Sequence, residues 1–194
     1  MLKPTISGLL FGMAILLSGQ SMASVITFDP LTGNNGEYYT GHTEAGFTVS
    51  PTGAWFESQF FGNDRPSIFS QSTTDSINVA LNNGGDFTFG GVDLACSFGS
   101  GCGYQIEGWL DSVSVLDVSG TVAAGLPPTF YTVATSFGSV VLDYISITLN
   151  LGTGTSYNID NINVSAVTNV TGPGVMGLLL LGAAGLGFGR RQLR

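Results

Sequence analysis

"VVLDYISITLNL", Val140 to Leu151, carries the plainest alternation in the chain: Val141, Ile145, Ile147, Leu149 and Leu151 share one face, and Tyr144, Ser146, Thr148 and Asn150 take the other. A period of two is that of a strand with one face packed and one wet. Working outward, similar stretches recur as "GFTVS" (46–50), "AWFESQFF" (54–61), "DSINVAL" (75–81), "DFTFGGVDLA" (86–95), "YQIEGWL" (104–110), "DSVSVLDV" (111–118) and "FYTVAT" (130–135). With "VITF" (25–28) and "YNIDNINV" (157–164) they predict about ten strands. Helical periodicity is absent from this middle region. Gly, Asn, Ser and Thr punctuate the stretches. "ALNNGGDF" (80–87) suits a tight hairpin because its glycines accept positive φ, and "AAGLPPT" (123–129) is a loop because Pro127 and Pro128 cannot donate to a ladder. So many short strands in about 145 residues close a core most simply as an all-β, two-sheet antiparallel sandwich of jelly-roll type, with a closed barrel as the alternative.

"YNIDNINV" breaks its own alternation. Tyr157 and Ile159 are odd-numbered, Ile162 and Val164 even, and keeping all four inside requires an extra residue near Asp160 and Asn161, a β-bulge.

The charge is lopsided. Thirteen carboxylates and five Lys or Arg give a formal net charge of −8, and of the basic residues only Arg65 lies in the middle region. A surface of that sign repels phosphate backbones and anionic lipid, which argues against nucleic-acid binding and against attachment through a basic patch. It favours cations, or simple solubility outside the cell.

Residues able to carry chemistry are few. His42 is the single histidine and Cys96 and Cys102 the two cysteines, so a multi-histidine or four-ligand Cys/His zinc site cannot be assembled. There is no G-x-S-x-G elbow, P-loop or dinucleotide fingerprint. A triad through His42 has no supporting motif. Cys96 and Cys102 flank "SFGSG" and read as a disulfide in an exported chain, with two buried thiols as the alternative. Glu57, Asp64, Glu107 and Asp111 are candidates for a glycosidase pair, although acids in an acidic domain produce such candidates by chance. Calcium suits the hard oxygen ligands better: Asp29 ends the first strand, Asp160 sits at the inferred bulge of the last, and Asn161 or a backbone carbonyl would complete the shell. Trp55, Trp109, Tyr38 and Tyr39 could stack on sugar rings, or serve as core.

Both ends differ from the middle. Lys3, the apolar stretch "ISGLLFGMAILLSG" and the small-residue site "SMA" predict a secretory signal peptide over residues 1–23, cut between Ala23 and Ser24. This leaves a β-domain over 24–167 and a tail over 168–194. The tail contains Gly172, Pro173 and Gly174, an apolar run from Val175 to Gly189, and then Arg190, Arg191 and Arg194. As a helix that run spans roughly 22 Å, short of a ~30 Å hydrocarbon core. An N-terminal signal helix and a short C-terminal hydrophobic helix are therefore expected to flank the domain.

Signal peptide, Gly-rich acidic β-domain, short break, apolar run and terminal arginines together resemble the PEP-CTERM exported proteins of Gram-negative bacteria. "FDPL", "EAGFTVSP", "FTFGGVDL", "YQIEGWLDS" and "IDNINV" resemble segments of that family's jelly-roll domains. Here "VTGPGVMG" stands where Val-Pro-Glu-Pro is expected, and Pro173 keeps one proline. The resemblance implies an inner-membrane intermediate held by the tail helix and a cytoplasmic arginine cluster, then cleavage by an exosortase-like enzyme. A rhomboid-type protease is the neighbouring alternative. The mature protein would be non-enzymatic, at the cell surface or in the extracellular matrix, with extracellular polysaccharide as a candidate partner and no nucleic acid. The alternatives are a secreted carbohydrate-active enzyme and a permanently anchored surface protein.

Overall fold

The computed structural model describes residues 23–150 and 156–167, and residues Ser21–Thr168 form one compact unit. Among the described residues the strands are β1 (Ala23–Ile26), β2 (Tyr38–Tyr39), β3 (His42–Glu44), β4 (Phe47–Thr52), β5 (Trp55–Ser58), β6 (Ser67–Ser70), β7 (Ser76–Leu81), β8 (Phe87–Ser97), β9 (Cys102–Leu110), β10 (Val113–Val122), β11 (Tyr131–Val133), β12 (Val141–Leu142), β13 (Tyr144–Asn150) and β14 (Ser156–Ala166). They form two antiparallel sheets rather than one closed barrel. Sheet I runs β11-β8-β14-β6-β5-β2, with β1 added to β14 and β12 to β8; sheet II runs β10-β9-β13-β7-β4-β3. The central places are taken by the last strands of the chain, β14 between β8 and β6, and β13 between β9 and β7.

Alternation decides what each strand buries. Ile145, Ile147 and Leu149 of β13 are fully buried with Ile77, Val79 and Ile106 of the same sheet, and Trp55, Phe87, Phe89, Leu94, Tyr157 and Ile159 of sheet I complete the same core cluster. The opening stretch needs one correction. Val141 does not share the strand of Ile145: it belongs to β12, which pairs with β8 in the other sheet, and Leu142 is the buried residue there. Leu151 lies outside the described residues. The "ALNNGGDF" turn is corrected too. Gly84 and Gly85 do adopt positive φ (73° and 107°), but they carry the chain from β7 in sheet II to β8 in sheet I, so the turn is a crossover and not a hairpin. Turn chemistry specifies the local bend; whether the flanking strands pair is settled by burial on both sides.

Three strands were not anticipated: β2, β3 and β6, each of two to four residues and too short to show a period. The parity break in the last strand is a bulge as expected. Asp160 pairs with Asp93 of β8 and Asn163 with Gly91, so one extra residue is inserted, and Asn161 takes φ 44°. Gly91 answers it with φ 133°. On its other edge β14 pairs first with β6 (157–159) and then with β1 (162–165), so the bulge sits where one neighbour hands over to the other.

Cys96 ends β8 and Cys102 begins β9, and a disulfide joins them with Cα atoms 5.7 Å apart. Both are fully buried. The bridge therefore does more than pin a loop, because it ties sheet I to sheet II at their crossover. Among the described residues no helix is long and apolar enough to cross a membrane. The expected signal helix and tail helix, with Gly172, Pro173, Gly174, Arg190, Arg191 and Arg194, lie outside the described residues, whereas Ala23 and Ser24 open β1.

Candidate functional site

Of the predicted ligands, Asp160 and Asn161 lie at the bulge, whereas Asp29 does not end the first strand: β1 stops at Ile26, and Asp29 is an exposed residue of the turn beyond it. Asp160 is fully buried on the side of sheet I away from the core. Its Oδ2 accepts the Asn63 backbone N–H at 2.7 Å and its Oδ1 the Asn161 N–H at 2.8 Å. Burial pushes its carboxyl up to about 8, with the two N–H donors opposing and the charges of Asp93 and Asp29 adding to the rise. Asp29 is within electrostatic reach of Asp160. Two participants were missed. Asp93 stands directly across from Asp160, and its Oδ2 accepts from the side-chain amides of Asn63 (2.7 Å) and Asn161 (3.0 Å), while Thr132 Oγ1 donates to its Oδ1. Asn63 belongs to the loop between β5 and β6, which folds over this face. No sequence signal marks Asp93 or Asn63, because their meeting depends on strands far apart in the chain. Among the described residues no group of three or more His, Cys, Asp or Glu is arranged to hold a metal ion.

His42 lies in a different network. Its Nε2 is 2.9 Å from Glu44 Oε2 and its Nδ1 2.7 Å from the Tyr39 hydroxyl. Glu44 also accepts from Thr27 N, Thr27 Oγ1 and Phe28 N. Burial raises the Glu44 carboxyl, but these hydrogen bonds together outweigh it and hold the group at about 2. Tyr39 is buried and its phenol pushed far up, chiefly by that burial. The arrangement has the outline of a triad with no activated nucleophile, and it fastens the end of β1 to β3 across the two sheets.

The candidate acid pairs are divided between the sheets: Glu57 is in β5 and Asp64 in the following loop, whereas Glu107 is in β9 and Asp111 in the turn after it. Of the aromatic candidates, Trp55 and Tyr39 are core. Tyr38 is 69% exposed and leads to what was missed. Tyr38 of β2 stands opposite Phe56 of β5, which stands opposite Phe69 of β6, with ring centroids 4.8 and 5.4 Å apart and interplanar angles of 37° and 32°. Three rings on three adjacent strands form a row about 10 Å long on the outer face of sheet I. Beyond Phe69 the row runs into a cleft of about 90 Å³ lined in part by Asn35, Ser58, Phe61 and Asn158. Alternation does place Phe56 opposite in facing to Trp55, but the row cannot be read without β2 and β6, the two strands hardest to see in sequence.

No protein-family model and no curated protein matches the sequence. Solved structures with a similar arrangement include the enzymatically active domain of bacteriophage CBA120 tailspike protein 4 (13% identity, TM-score 0.40, covering 63% of this chain and 20% of that one). Others are the K1 cleaved adhesin domain of Lys-gingipain from Porphyromonas gingivalis W83 (13% identity, TM-score 0.44, 75% and 99%) and a family 29 carbohydrate-binding module from Piromyces equi (14% identity, TM-score 0.41, 78% and 95%). The chain spans about a fifth of the tailspike domain's length. With these TM-scores below 0.5, no function is carried over from them.

Proposed function

We propose that this is an exported cell-surface or matrix protein whose β-domain binds polysaccharide through the Tyr38–Phe56–Phe69 row. The observation that carries the reading is the row itself. Tyr38 is exposed, Phe56 and Phe69 are half-buried on the outer face and none of the three belongs to the core cluster, and an apolar row that reaches water in this way marks an interaction site. Sugar rings present C–H faces that stack on aromatic rings and hydroxyls that hydrogen-bond at the edges, which suits a row bordered by Asn35, Ser58 and Asn158. The Cys96–Cys102 bridge supports an oxidising location. Export through the residue 1–23 signal, transient anchoring by the tail and release by an exosortase-like or rhomboid-type enzyme belong to the same proposal. So does the calcium assignment to Asp29, Asp160 and Asn161.

Pull-down on the host's own extracellular polysaccharide tests the binding reading. The full chain is retained without shortening the glycan, and Tyr38→Ala and Phe56→Ala weaken retention while leaving the melting temperature nearly unchanged. Release of shorter sugars, abolished by an amide at one of Glu57, Glu107 or Asp111, would make the protein a hydrolase instead.

A further inference from the structure

The outer face of sheet II carries a different arrangement. Trp109 of β9 and Tyr144 of β13 are direct cross-strand partners, with ring centroids 5.4 Å apart and planes at 53°. Trp109 is half-buried and Tyr144 exposed. In the neighbouring row Ser146, Glu107 and Asp117 stand side by side on β13, β9 and β10, and the next row is Thr148, Gln105 and Ser119, which line a shallow groove of about 340 Å³.

Glu107 and Asp117 are thus like charges directly opposite one another on adjacent strands, a pairing that destabilises a sheet. No basic residue among those described lies on this face to offset it. Among the described residues Arg65 lies in the loop against sheet I, and the His42 ring is engaged by Tyr39 and Glu44. Gln105 Nε2 donates to Asp117 Oδ1 at 3.3 Å, and among the described residues no side chain donates to the Glu107 carboxylate. A bound cation would relieve the repulsion. Trp109 is two residues along the strand from Glu107, about 7 Å away, and a Trp face stacks on sugar rings and also attracts cations.

We propose that this face binds an amino-sugar polysaccharide bearing protonated primary amines, with a sugar ring on Trp109 and Tyr144 and an ammonium group between Glu107 and Asp117. Charge complementarity selects this occupant: uronic-acid polymers are repelled, and a neutral glycan leaves the carboxylate pair unrelieved. The site is independent of the aromatic row on sheet I. A domain with glycan on both outer faces cross-links chains.

The probes are glucosamine oligomers with free amines and the same oligomers fully N-acetylated, titrated against the full chain by calorimetry. Free-amine oligomers bind, and N-acetylation weakens them by about tenfold or more. Glu107→Gln abolishes that preference and Trp109→Ala weakens binding of both oligomers, whereas Tyr38→Ala and Phe56→Ala produce neither effect, which separates this site from the row on sheet I. Glu107→Gln also raises the melting temperature, because removing one of two facing carboxylates relieves the sheet; a residue kept only for structure would lower it. Equal binding of the two oligomers, binding of neither, or a Glu107→Gln variant that keeps the preference overturns the proposal.

Discussion

Replacing Asp160 by Asn is the sharpest probe of the buried bulge. The carboxyl is fully buried and raised from 3.8 to about 8, mainly by loss of water, so between those values the folded state holds a proton that the unfolded state releases. Stability on this account is fully present below pH 3.8 and is lost as pH rises toward 8, with a slope of roughly 1.4 kcal/mol per pH unit for one proton. From pH 5.5 to 7.5 the fall is about 3 kcal/mol, equivalent to roughly 10 °C in melting temperature for a domain of this size. Asn cannot titrate, but Asn63 N–H and Asn161 N–H point at different carboxylate oxygens and Asn puts an NH2 donor in place of one of them, so the variant carries a constant cost of about 1–3 kcal/mol. The variant is therefore less stable than wild type at pH 5.5, and the gap narrows or reverses by pH 7.5. Denaturant unfolding of both proteins at intervals across that range, in the presence of a chelator, reads the difference directly. A wild-type minus variant difference that stays constant with pH refutes the assignment of the raised carboxyl to Asp160. Asp93 and Asp29 face the same group, so Asp93→Asn lowers the Asp160 value and flattens the slope without removing it.

Calcium competes with that proton, so if Asp29, Asp160 and Asn161 hold it, chelation lowers the melting temperature more at pH 8 than at pH 5.5, and Asp160→Asn removes most of the effect; a thermal scan with and without chelator decides. Opening the disulfide with Cys96→Ala and Cys102→Ala together costs about 2 kcal/mol by the loop-closure estimate, read as a lower denaturant midpoint. Gly91→Ala costs roughly 2 kcal/mol or more, because φ is 133° and the new Cβ would come within 2.9 Å of the Val133 carbonyl oxygen. Intact mass of the native surface protein is expected to begin at Ser24 and to lack Arg190, Arg191 and Arg194; a mass that includes Arg194 leaves only the permanent anchor.

The period-two stretches, the parity break at Asp160 and Asn161 and the cysteine pair are legible without coordinates, because each depends on residues only a few positions apart. Alternation assigns faces, a broken parity demands one inserted residue, and two cysteines six apart can close a short bridge. The same alternation puts Gln105, Glu107 and Trp109 on one wet face of β9. Sequence cannot say which strand lies beside which. That Asp117 and not a lysine stands opposite Glu107, that Tyr38, Phe56 and Phe69 align, and that Asp93 meets Asp160 under Asn63 all depend on register between distant segments. Register is set by the burial of both inner faces at once, a property of the packed sandwich and of no single segment. The crossover at Gly84 and Gly85 shows the same limit: the turn residues specify the bend, and only the closed core decides that the chain leaves one sheet for the other.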